Sequence, residues 1–108
     1  HRFAGIEANP EGRMTIRAVQ RTRDELRLNY RCKPGGSIVT ELLHSETSRI
    51  HPDADPIPGF TFADSDLLTG DELSRPMTWQ GKSDLSQIGD TVAIRLKMFQ
   101  AKIFAFSV

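Results

Sequence analysis

The chain has 108 residues, a single cysteine, and 14 Lys or Arg balanced by 14 Asp or Glu. That length suits one domain with a core of its own, and the lone Cys32 excludes an internal disulfide framework or a Cys-based zinc site. Zero net charge excludes the basic excess of a dedicated nucleic-acid binder, and no apolar run nears the ~20 residues of a bilayer-spanning helix, so neither nucleic acid nor membrane is an expected partner.

The neutral total conceals an asymmetry. Residues 1–33 carry eight Lys or Arg against four Asp or Glu, and residues 41–90 carry three against ten. A solvated outer face is the simpler account of such a run, with recognition of an acidic polymer or a neighbouring domain as the alternative.

In chain order, Met14, Ile16 and Ala18 alternate with Arg13, Thr15 and Arg17, the period of a strand with one buried and one wet face. The clearest alternation follows: Leu26, Leu28, Tyr30 and Cys32 point one way, and Arg27, Asn29, Arg31 and Lys33 the other. Pro34-Gly35-Gly36 reads as a turn into a further strand at 37–43. The stretch from His44 to Pro58, with its prolines and aspartates, reads as an exposed connection. Short strands are expected at 60–62 and 77–79, separated by Pro58-Gly59, Thr69-Gly70-Asp71 and Gln80-Gly81-Lys82. A brief helical turn is expected at 83–86. Val92, Ile94, Leu96 and Met98 alternate again, and after a turn at 99–102 a last strand runs over 103–107. Seven or so short strands predict an all-β fold: a single-domain antiparallel β-sandwich of jelly-roll type.

Three aspartates, Asp64, Asp66 and Asp71, are the densest group of acids outside the long connection. A glycosidase needs two carboxylates facing each other across a cleft, and calcium needs six to eight oxygens. The same residues suit turns in which Asp bonds its own backbone, and this is the reading the spacing favours. A structural calcium on Asp64, Asp66 and Asp71 is the alternative, with Asp53 and Asp55 a weaker version; no other cofactor is expected. Ser48, His51 and Asp53 have the residue types of a hydrolase triad without the motif that would assemble one. His44 and His51 fit no metal spacing.

Carbohydrate binding by a β-sheet protein uses exposed rings on which pyranose faces stack, with polar neighbours for the hydroxyls. The candidates are Trp79, Tyr30 and Phe99, with Arg27 and Arg31. Trp79 pairs with Met77 and Tyr30 with Leu28, so core packing is the reading their neighbours favour. Phe104 and Phe106 are likewise expected on one buried face. Phe99 falls with Lys97 on the wet side, where a ring marks contact with another domain.

From residue 26 onward the chain resembles a C-terminal module of bacterial proteins related to invertase and levanase glycosidases, glycosyl hydrolase family 32. The resemblance is carried by residues 30–43, Ile57-Pro58-Gly59-Phe60, Ala63-Asp64-Ser65-Asp66 and Thr69-Gly70-Asp71. More specific is Met77-Thr78-Trp79-Gln80-Gly81-Lys82-Ser83-Asp84-Leu85, followed by the strands at 92–96 and 103–106. The segment 44–56 is longer than that pattern has. The resemblance implies a non-catalytic β-sandwich that packs against and stabilises an N-terminal catalytic β-propeller of the same polypeptide. It also implies export from the cytoplasm. A chain that opens at His1 and whose last apolar run reaches Val108 fits an excised domain of such a protein. A carbohydrate-binding module that tethers the parent to a polysaccharide is the second expectation, and an enzyme in its own right is not expected.

Overall fold

Every second side chain from Leu26 to Cys32 and from Val92 to Met98 is buried, as the alternation requires. A computed structural model of the chain describes residues 2–44, 56–89 and 91–108. It is all-β: β1 (Arg2–Gln20), β2 (Arg27–His44), β3 (Asp71–Pro76) and β4 (Thr91–Ser107) form one antiparallel sheet in the order β1-β4-β2-β3. No helix occurs among the described residues.

The strands are fewer and longer than the sequence predicts. Residues 26–33 and 37–43 belong to one strand, β2, and Pro34-Gly35-Gly36 lies within it instead of reversing the chain. Likewise 92–98 and 103–107 are both β4, with Gln100 in the left-handed region at φ 46° between them. Glycine and positive φ serve bulges as well as turns, which is why local sequence does not tell the two apart. Residues 60–62 are not a strand, nor are Met77–Trp79, of which Trp79 alone is bridged, to Ser65 and Lys82. β3, which has no buried side chain, carries no alternation to announce it. Residues 83–85 are irregular chain leading to a turn at 86–87, with no helix, and the Asp84 carboxylate accepts the Ser86 N–H at 2.9 Å.

The irregularities line up. Ala8 and Cys32 both stand opposite Ala101, Glu11 and Ser37 both stand opposite Phe99, and the ladder breaks between these levels in β1 and β2 alike, across from Gln100. A straight strand of 18 residues would be roughly 60 Å long at ~3.3 Å per residue, yet the molecule's longest extent is 36 Å. The sheet therefore bends along this line, as corners built from bulges do. Gly36 is required there, because a Cβ would lie 2.5 Å from the Gln100 carbonyl oxygen and 2.7 Å from that of Phe99.

One core joins both sides of the bend. Leu28, Tyr30, Ile103 and Phe106 from one half cluster with Ile38, Leu42, Ile94 and Leu96 from the other. The layer that covers them is irregular chain, contributing Ile57, Leu68, Met77, Trp79, Leu85 and Ile88. On the opposite face of the sheet, Glu41 and Arg95 are cross-strand neighbours and form a mostly buried ion pair at 3.0 Å.

Candidate functional site

The irregular layer is held against β2 by a run of hydrogen bonds that stands in for a neighbouring strand. β3 pairs with β2 only from Arg27 to Arg31. Beyond it the outward backbone groups of β2 belong to Cys32, Ile38, Thr40 and Leu42. The Cys32 N–H donates to the Gly70 carbonyl at 2.9 Å, and Ile38 exchanges two bonds of 3.0 Å with Leu68. The Thr40 N–H donates to Ser65 Oγ at 3.0 Å, and the Thr40 carbonyl accepts the indole N–H of Trp79 at 2.9 Å. The Leu42 N–H donates to Phe60 at 3.0 Å, and its carbonyl accepts the Ile57 N–H at 2.7 Å. From Ile38 to Leu42 every outward N–H and C=O is satisfied, two of them by side chains, as burial of a sheet edge demands.

Trp79 owes its position to a tight turn. Trp79 and Lys82 exchange backbone bonds of 2.8 and 3.0 Å. Both central residues have positive φ, 52° at Gln80 and 79° at Gly81, as a type I′ turn needs. Asp66 pins this turn: one carboxylate oxygen accepts the Thr78 hydroxyl at 2.6 Å and the Gly81 N–H at 2.8 Å. Those two bonds hold the Asp66 carboxyl below the usual carboxylate range, the Thr78 bond most of all.

Asp64 is engaged in the same way. It accepts the Thr61 hydroxyl on one oxygen and the Gln80 amide on the other, both at 2.9 Å. Asp71 does not join them; it lies on exposed β3 beside Arg31, 3.4 Å away. Asp64 and Asp66 thus clamp turns made by other residues instead of bonding their own backbone as the spacing favours, Asp71 begins a strand and pairs with Arg31, and no group of three metal-ligating side chains, as the calcium alternative would need, occurs among the described residues. Ser48, His51, Asp53 and Asp55 lie outside the described residues, as does most of the 44–58 connection.

Of the rings proposed as a sugar platform, Trp79 and Tyr30 are each only 2% exposed. Trp79 packs edge-on to Phe60 with centroids 5.1 Å apart. The Tyr30 hydroxyl donates to the Thr69 carbonyl at 2.9 Å, and burial pushes its pKa up. Neither ring has a face free for stacking, because the alternation that made them strand residues also turned them inward. Phe104 was expected beside Phe106 in the core, but the extra residue in β4 opposite Asn29 and Tyr30 shifts the parity and leaves it half-exposed. Lys102 caps its ring at 5.4 Å. Arg27 is held by Glu25 at 2.6 Å and by the Ser74 carbonyl at 3.0 Å.

Phe99 is exposed, as its place in the alternation predicts, and 64%-exposed Leu67 stands near it. The two border a hollow of about 260 Å³ whose walls include Val39, Met98 and Lys97. Leu67 is the member that sequence reasoning missed, since nothing local separates it from its buried neighbour Leu68. A second hollow, about 280 Å³, brings Asn29 and Arg31 together with Glu72, Leu73 and Phe104. Comparison with protein-family models, with curated proteins and with solved structures finds no match to this chain.

Proposed function

We propose that the chain is a non-catalytic β-domain that docks on and stabilises a neighbouring domain, a catalytic β-propeller of a glycosidase-like polypeptide. The observation that carries this reading is the apolar hollow between Phe99 and Leu67. Large apolar side chains left together on a surface mark an interaction site, whereas of the aspartates weighed for catalysis or metal binding Asp64 and Asp66 are occupied by turns and Asp71 by Arg31. The nature of the neighbour rests on the sequence resemblance alone. In a polypeptide that carries the chain beside its propeller, Phe99→Ala with Leu67→Ser lowers the melting temperature of the propeller and leaves that of the isolated chain within about 1–2 °C. Equal loss in both settings, or none in either, would refute the docking role.

The hollow beside Asn29, Arg31 and Phe104 favours carbohydrate as a second reading, with Arg31 and Asn29 as polar partners. Affinity electrophoresis through fructan, xylan and cellulose gels separates the two. Retardation that disappears in Arg31→Ala selects the second reading, and free migration in every gel removes it.

A further inference from the structure

The other edge of the sheet is treated differently. β1 is the terminal strand on the side away from β3, and the register fixes which of its backbone groups face outward. On β2 the even residues 38, 40 and 42 point away from β4, so Ser37, Val39 and Glu41 bond the β4 residues opposite them, Phe99, Lys97 and Arg95. The even residues of β4 then face β1 and take Gly12, Met14 and Ile16, which stand opposite Met98, Leu96 and Ile94. The N–H and C=O groups of Glu11, Arg13 and Thr15 are left pointing off the sheet. All three residues are exposed, and among the described residues no hydrogen bond to these groups is found.

Such an edge invites another strand, and its sequence indicates which one. We propose that two copies of the chain pair through this edge, antiparallel about a two-fold axis at Gly12, with Glu11 opposite the partner's Arg13. The symmetry repeats the contact with Arg13 opposite the partner's Glu11, so two pairs of opposite charge meet on the exposed face, the favourable cross-strand arrangement. Other centres lack this complementarity. An axis at Glu11 or Arg13 puts like charges face to face, and one at Met14 leaves Arg13 opposite the partner's Thr15. At the axis itself the pair is of the non-hydrogen-bonded kind, where Cα atoms approach to about 4.5 Å. Gly12 presents no side chain there, and a glycine inside a strand commonly marks such an approach. The bulge at 9–10 limits the regular part of the new ladder to a few residues, so the dimer is weak.

Sedimentation velocity on the whole chain, from about 10 µM to about 1 mM, tests the pairing, with a dissociation constant on the order of 100 µM expected at low salt. Raising salt to about 0.5 M weakens it several-fold. Arg13→Glu places four carboxylates at the axis and yields a monomer throughout the range. Adding Glu11→Arg to that variant restores the dimer to within about threefold of the wild type. Arg13→Pro removes an outward N–H without touching a bond to β4, and also gives a monomer, with circular dichroism confirming the fold. A wild-type chain that is monomeric at the highest concentration overturns the proposal, as does a dimer that survives Arg13→Glu. Loss of the dimer in Phe99→Ala but not in Arg13→Glu assigns the association to the apolar hollow and overturns it too.

Discussion

Along β2, from Ile38 to Leu42, six outward backbone groups find six partners drawn from Ile57, Phe60, Ser65, Leu68 and Trp79. Along β1, from Glu11 to Thr15, the outward groups meet exposed surface. The first edge is buried, so its donors and acceptors must be satisfied within the chain, and an indole and a hydroxyl are recruited where no backbone reaches. The second stays in contact with water, which satisfies it, and its charges keep it from pairing indiscriminately. Burial, not strand length, decides how much sequence an edge commits to its own closure.

The contrast is broken most severely at Trp79. Trp79→Ala removes a fully packed ring and strands the Thr40 carbonyl, and urea unfolding should show a loss of about 3–5 kcal/mol. Trp79→Phe keeps much of the packing and isolates the hydrogen bond, at about 1–3 kcal/mol; a neutral result would mean that water satisfies Thr40 and the edge is not sealed. Ser65→Ala, which orphans the Thr40 N–H, should cost about 1 kcal/mol. On the open edge, Thr15→Ala should stay within about 0.5 kcal/mol of the wild type in the same assay. Similar losses at Ser65 and Thr15 would abolish the distinction between the edges.

The smallest effect is electrostatic and sits at the turn that presents Trp79. The folded-state pKa of Asp66 is depressed by the Thr78 and Gly81 bonds. Its contribution to stability is therefore fully present above the unfolded carboxylate value and is lost as the pH falls through the lower, folded value. The urea midpoint of the wild type should decline below about pH 4, and that decline should be shallower in Asp66→Asn. Parallel pH profiles for the two proteins would show that the clamp does not depend on the charge.

Much of this was legible in the sequence. The inward faces of β2 and β4, the burial of Trp79 and Tyr30 and the exposure of Phe99 all follow from alternation, whereas the reach of Asp64 and Asp66 to residues 78–81 does not, since local turn chemistry ties an Asp only to its own neighbours. The bend was not legible, because Pro34-Gly35-Gly36 has the composition of a chain reversal and only the pairing of Cys32 and Ser37 with Ala101 and Phe99, on either side of Gln100 in β4, shows that it is a bulge. β3 was hidden because none of its side chains is buried. Nor could local pattern reveal that Ser65 and Trp79 act together, since they meet at Thr40, 25 and 39 residues away in the chain.

The order of the strands also bears on when the domain is able to form. β4 lies between β1 and β2, and Arg2 pairs with Ala105 at almost the full length of the chain. As the polypeptide is synthesised, β1 therefore has no strand to pair with until β4 follows, and the β2–β3 contact is the one inter-strand ladder available earlier. Closing contacts so distant in sequence is slow, and unpaired strands are aggregation-prone while they wait. Charge on a waiting strand opposes such association, and β1, which waits longest, carries Glu11 and Arg13 on its exposed face.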